Sequence, residues 1–168
     1  SLKSLQENIH GKTFFHLGPE RDQDLFRQLK EKKKSNLEQC DFILCTGLFD
    51  KKDGFNTKTL RYYKDYLKSA NKLTMVCTNP DLVVDRGKKK EYCAGAVAKV
   101  FEDLGGKVIY YGKPYPGIYN FCIKKNEKIL VIGDNLNTDI MGANKMKLDS
   151  LFITGGVHKD EFKSENKL

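Results

Sequence analysis

The stretch KVIYYGKPYPGIYNFCIKKNEKILVIGDNLNTDIMGANKMKLDSLFIT, residues 107–154, decides the fold. Apolar runs at Lys107–Tyr111, Ile129–Ile132 and Ser150–Thr154 have the length of buried strands. Between them, Tyr115–Lys124 and Thr138–Met146 have the length and spacing of helices. Strands alternating with helices of this size predict βαβ units and a parallel sheet.

The same grammar extends upstream. Thr13–Leu17, Asp41–Cys45 and Leu73–Cys77 read as buried strands, the first ended by Gly18-Pro19 and the last by Thr78-Asn79-Pro80-Asp81. Helices are expected at about Asp22–Lys30, with Leu25, Phe26 and Leu29 on one side, at Thr59–Ala70 and at Ala94–Leu104, the last stopped by Gly105-Gly106. Leu82–Cys93 suits two short strands around Arg86-Gly87, and Asp50–Thr57 a polar loop. Leu2, Leu5 and Ile9 mark a short helix at the start, which needs something to pack on. With no Met at Ser1, the chain is expected to be a piece of a longer one. Lys163–Leu168 reads as a frayed tail.

Composition narrows the function classes. With 168 residues, 39% of them hydrophobic, the chain suits one soluble globular domain or two small ones. No run approaches the roughly 18 apolar residues of a membrane span, and the start lacks the apolar core of a signal peptide, so no membrane partner and a cytoplasmic setting are expected. The five cysteines are odd in number and form no CxxC pair, which argues for reduced thiols over disulfides or structural zinc. The net charge of +8 resides almost wholly in lysines in short runs such as Lys32–Lys34 and Lys88–Lys90, expected in turns. No nucleic-acid-binding motif accompanies them, so no nucleic-acid partner is expected. Neither GxGxxG nor GxxxxGK[ST] occurs, which removes the phosphate cradle of dinucleotide and nucleoside-triphosphate sites.

Open parallel sheets carry ligands at the carboxyl ends of their strands. After Ile129–Ile132 comes Gly133-Asp134-Asn135-Leu136-Asn137-Thr138-Asp139. Two carboxylates at a strand tip and the adjoining helix start can hold a hard divalent cation, one directly and one through water, in the oxygen shell Mg²⁺ prefers. Helix capping alone accounts for Asp139 and leaves Asp134 unexplained. After Lys107–Tyr111 comes Gly112-Lys113-Pro114, a stiff turn whose ammonium can hold a phosphate or pair with a carboxylate. Thr78-Asn79-Pro80-Asp81, at a third strand end, is ordinary turn chemistry taken alone.

Gly112-Lys113-Pro114 followed by GDNLNTDIMGAN resembles the third and fourth motifs of the haloacid dehalogenase (HAD) superfamily. HLGPERDQDLF, DFILCTGLFD, VCTNPDLVVDRG and YCAGAVAKVFEDLGG look like the α/β cap of subfamily IIA, the NagD-like phosphatases. The resemblance runs over nearly the whole chain. It implies a HAD-like Rossmann-type parallel sheet, present here as its C-terminal half, with an α/β cap domain. The implied boundaries are residues 1–10 for the last helix of the preceding core half, 11–108 for the cap and 109–168 for the closing core.

The resemblance also implies a Mg²⁺-dependent phosphatase acting on a small phosphorylated metabolite through an aspartyl-phosphate. Lys113 would then steady nucleophile and phosphate as the catalytic lysine, Asp134 and Asp139 would serve the metal, and Asn79 and Asp81 would help choose the substrate. The nucleophile motif, an Asp-x-Asp-Gly turn after a buried strand, is missing from these residues. The Asp22-Gln23-Asp24 pair has no such strand running into it and falls within the cap. The isolated chain is therefore expected to be inactive as an enzyme, with strand edges and apolar faces exposed. The alternative is a non-enzymatic truncated binding or dimerisation module, pairing as a homodimer through the cap.

Overall fold

The computed structural model describes residues 11–50, 58–87, 89–124 and 126–163. The helix expected over Leu2–Ile9, most of the Asp50–Thr57 loop and nearly all of the expected tail lie outside the described residues. The chain divides into two compact units, Ser1–Tyr111 and Gly112–Leu168.

The first unit is built on five parallel strands: β1 (Phe14–Leu17), β2 (Lys33–Lys34), β3 (Phe42–Cys45), β4 (Thr74–Cys77) and β7 (Lys107–Tyr110), in the spatial order β2-β1-β3-β4-β7. β1 and β3 are buried at every position, which is why they read as continuous apolar runs and not as alternation. Successive residues point to opposite faces. Phe15, Leu17, Ile43, Cys45, Met75 and Cys77 enter one core, against Tyr63 and Leu67 of α1 (Leu60–Leu67) and Val97 and Phe101 of α2 (Ala94–Asp103). Phe14, Phe42, Leu44 and Val76 enter the other, against Phe26 and Leu29. Phe14 and Phe26 meet edge to face, centroids 5.5 Å apart. The buried Tyr63 hydroxyl accepts a hydrogen bond from the Phe49 amide at 2.7 Å, which satisfies a backbone donor the loop would otherwise strand.

Several local expectations change. The segment expected as a helix over Asp22–Lys30 is 3₁₀-type, spans Glu20–Lys32 and breaks its geometry at Phe26; Phe26 and Leu29 turn inward while Leu25 stays exposed. The break lets one side chain reach the core without committing the neighbouring residue to it. Lys33 and Lys34, expected in a turn, form the edge strand β2, where charged side chains discourage pairing with another chain. Lys89 and Lys90 lie in β6 (Lys89–Tyr92), the antiparallel partner of β5 (Val83–Arg86). Cys40, Cys45 and Cys77 are buried, Cys93 is half-buried and Cys122 exposed, all as free thiols.

The second unit pairs β8 (Leu130–Gly133) with β9 (Asp149–Phe152) in parallel. It also holds α3 (Pro116–Cys122), a π-type turn over Leu136–Ile140 that runs into α4 (Met141–Met146), and α5 (Lys159–Lys163). The helix expected to begin at Thr138 thus begins two residues earlier, as a wider turn. β7 does not join this sheet, although the alternation of residues 107–154 invites that reading; it closes the first sheet through β4. Leu130, Ile132 and Leu151 are each at least half exposed. Parallel strands ordinarily have both faces covered.

Candidate active site

Gly112 has φ of 112°, a conformation glycine adopts freely, and its carbonyl accepts from the Tyr115 amide at 2.9 Å. Lys113 therefore rides on a closed four-residue turn. Its Nζ donates to Asp139 Oδ1 at 2.5 Å, the lysine half-exposed and the carboxylate buried. The other carboxylate oxygen, Asp139 Oδ2, accepts from the Asn135 amide at 3.2 Å. A buried carboxylate is tolerated when it is paired and hydrogen-bonded, and both oxygens of Asp139 are engaged.

The π-type turn brings Asp139 inward. The Asn135 carbonyl accepts from the amides of Thr138, Asp139 and Ile140, while its side chain accepts from the Asn137 amide at 2.9 Å. The wider turn buries Thr138 and Asp139 together beneath the tip of β8, and such turns recur at functional sites. Gly133, the last residue of β8, is required by contact: a Cβ there would sit inside the Asp139 carboxyl group.

Asp134 is held differently. Its Oδ2 accepts from the Val157 amide at 3.0 Å, beside Gly156, whose bare Cα leaves room for the carboxylate. Among the described residues Oδ1 receives no hydrogen bond. The structure thus pairs Lys113 with Asp139 and places Asp134 at the strand tip that this pair adjoins, all in the second unit. Asn79 and Asp81 lie in the first unit, where the Asp81 amide donates to Asn79 Oδ1 at 3.1 Å and the Asp81 carbonyl accepts from Gly95 at the start of α2.

Sequence reasoning missed several participants. Gly156 and Val157 hold Asp134, and the signal was the Thr154-Gly155-Gly156 strand end. Tyr119 packs with its buried hydroxyl beside Gly142 and, among the described residues, without a hydrogen-bond partner. Burial, then the charge of Asp139, push its phenol above the ordinary range, with Lys113 opposing. The Thr138 hydroxyl is likewise buried and has no hydrogen-bond partner among the described residues.

The donor set suits a magnesium ion as an open site. No group of three His, Cys, Asp or Glu residues converges among the described residues, so a cage made wholly of protein side chains is not on offer there. Mg²⁺ usually takes one or two carboxylates and fills its octahedron with water and substrate oxygens. Asp134 Oδ1 would be the direct ligand, and the saturated Asp139 would act on the shell beyond while fixing Lys113.

Residues 110–167 match the family described as HAD-hydrolase-like. The ribonucleotide monophosphatase NagD of Escherichia coli (strain K12) is 32% identical over 93 residues, a match covering 52% of this chain and 36% of that protein. A haloacid dehalogenase-like hydrolase from Brucella suis 1330 superposes with a TM-score of 0.77 at 33% identity, covering 91% of this chain and 62% of that one. The p-nitrophenyl phosphatase from Archaeoglobus fulgidus, 14% identical, shares the fold with a TM-score of 0.66, covering 99% of this chain and 65% of that one. The chain thus spans about a third of the length of the curated relative and under two thirds of each of these two solved structures. No helix among the described residues is long and apolar enough to cross a membrane.

Proposed function

From a likeness to NagD over 52% of the chain and to a haloacid dehalogenase-like hydrolase over 91% of it, we propose that these residues are the cap and closing half-core of a Mg²⁺-dependent phosphatase. Its substrate is a small phosphorylated metabolite, hydrolysed through an aspartyl-phosphate formed on an aspartate outside these 168 residues. The observation that carries this reading is the Lys113–Asp139 pair set at the strand tip beside Asp134, whose Oδ1 stays open.

The pairing does two jobs at once. Asp139 fixes the ammonium in place, and because its second oxygen takes the Asn135 amide, its charge is shared between two donors. The half-exposed lysine then keeps capacity for an anion beyond the carboxylate it touches. When bound, Mg²⁺ would neutralise charge on the transferring phosphoryl oxygens. Asn79 and Asp81 would contribute to substrate choice from the first unit. The exposed Leu130, Ile132 and Leu151 leave an apolar face of the β8–β9 pair uncovered, in keeping with further elements packing there.

The test is phosphate release from p-nitrophenyl phosphate with Mg²⁺. The 168-residue chain should show none above background. A chain extended at its N-terminus to include an Asp-x-Asp turn should turn over and lose on the order of a hundredfold or more on Lys113→Ala. Turnover by the 168-residue chain that Asp134→Ala abolishes would overturn the reading. Exposed Leu82, Val84 and Tyr92 on and beside the β5–β6 hairpin favour a second reading, a homodimer paired through the first unit. A monomer in sedimentation at micromolar concentration would count against it.

A further inference from the structure

The carboxylate of Asp134 is oriented from outside its own strand. Oδ2 accepts from the Val157 amide at 3.0 Å, so the position of that amide decides where Oδ1 is left to point. Val157 belongs to the turn between β9 and α5, and the turn is closed twice. The Gly156 carbonyl accepts from the Lys159 amide at 3.0 Å, and the His158 carbonyl accepts from the Glu161 amide at 3.0 Å. These two bonds give the turn its shape, and neither reaches the sheet.

His158 supplies the tie to the sheet. Its side chain is 11% exposed, with Nδ1 2.8 Å from Glu161 Oε1. Its ring packs against Phe152, centroids 6.3 Å apart. Phe152 is the register partner of Gly133 in the β8–β9 pair, and the Gly133 carbonyl accepts from the Ile153 amide at 2.8 Å. The contacts therefore close a loop. Gly133 leads along the chain to Asp134, Asp134 is bonded to Val157, and His158, the next residue, returns through Phe152 to Gly133. A carboxylate accepts hydrogen bonds and donates none, so the Glu161 contact places the proton of a neutral imidazole on Nδ1 and fixes the plane of the ring.

We propose that His158 is a positioning residue for Asp134: its ring, held by Glu161 and seated on Phe152, fixes the Val157 amide that engages Oδ2 and so keeps Oδ1 open at the tip of β8. Calling Oδ1 a metal ligand rests on the phosphatase reading; the placing of the carboxylate does not. Removing outer partners of a metal ligand typically costs about 10–100-fold in metal affinity. His158 acts one residue beyond the amide that makes the bond, which puts it at the low end of that range.

The experiment compares the full 168-residue chain with His158→Ala, Glu161→Ala and Glu161→Gln in two readouts. One is hydrogen exchange of the Val157 amide without metal; the other is a Mn²⁺ titration followed by amide line broadening at Gly133–Asn135. Both alanine variants should speed Val157 exchange and weaken Mn²⁺ binding, His158→Ala by about tenfold and Glu161→Ala by a smaller but resolvable factor. Glu161→Gln, whose side-chain carbonyl still accepts from Nδ1, should recover both readouts. The Glu161 side chain is 67% exposed, so Glu161→Ala should melt close to the parent chain and keeps the test valid where His158→Ala disturbs folding. Unchanged Val157 exchange in Glu161→Ala, unchanged Mn²⁺ affinity in that variant of a parent that binds the ion, or a loss that Glu161→Gln does not recover would each overturn the proposal. Where the parent itself shows no broadening at Gly133–Asn135, the metal reading falls, and Val157 exchange alone decides the positioning role.

Discussion

Replacing Gly133 by alanine should dismantle the acidic cluster. The added Cβ would occupy the space of the Asp139 carboxyl group, and that group has nowhere to go without releasing Lys113 and the Asn135 amide. Overpacking of a tight site costs about 1–3 kcal/mol, and stripping partners from a buried carboxylate adds about 1–3 kcal/mol more. For a unit as small as residues 112–168, a loss of about 2 kcal/mol already lowers the melting midpoint by about 8 °C or more. Gly117→Ala is the matching control. It lies in α3 with nothing within 4 Å of the new carbon, so its midpoint should stay or rise slightly, as alanine is the better helix former. Equal midpoints for Gly133→Ala and the parent chain would show that Asp139 is not confined as described.

The second large effect is a loss of stability in mild acid, caused by His16. Burial within β1, and after it the charge of Lys33, push this imidazole down from 6.5 to about 4, with Asp22 opposing. The folded chain therefore binds fewer protons than the unfolded chain across that window. The stabilisation is fully present above pH 6.5 and is lost as the pH falls toward about 4. The shift corresponds to about 3 kcal/mol at most. Urea midpoints of the parent chain should fall over this window, and in His16→Gln the fall should shrink, whatever the starting stability of the variant. Parallel slopes in the two proteins would show that another group titrates.

The apolar strands were legible because a strand buried on both faces leaves a continuous run that few other structures produce; Phe42–Cys45 and Thr74–Cys77 lie within one residue of their expected bounds. Val97, Val100, Phe101 and Leu104 likewise announce α2, since their spacing follows one face of a helix. The site turn was legible in its residues but not in its shape. GDNLNTD marks two carboxylates at a strand tip, yet nothing in that string distinguishes a helix starting at Thr138 from a π-type turn starting at Leu136, because both satisfy the same amides. Membership of β7 in the first sheet was not legible either, since strand pairing is fixed by register partners such as Val76 and Ile109 that lie far apart in the chain. His16 was passed over inside FFHL because a single polar residue does not disturb a buried run, although a histidine in that setting must find a partner, here Thr46.

The proposed metal role of Asp134 depends on an open carboxylate oxygen at the tip of β8. Its most direct test is a titration of the 168-residue chain with Mn²⁺, a paramagnetic stand-in for Mg²⁺, followed by amide line broadening. Selective broadening at Gly133–Asn135 and Gly156–Val157, reversed by excess Mg²⁺ and absent in Asp134→Asn, is the predicted result. Broadening centred elsewhere, or unchanged in Asp134→Asn, would contradict it.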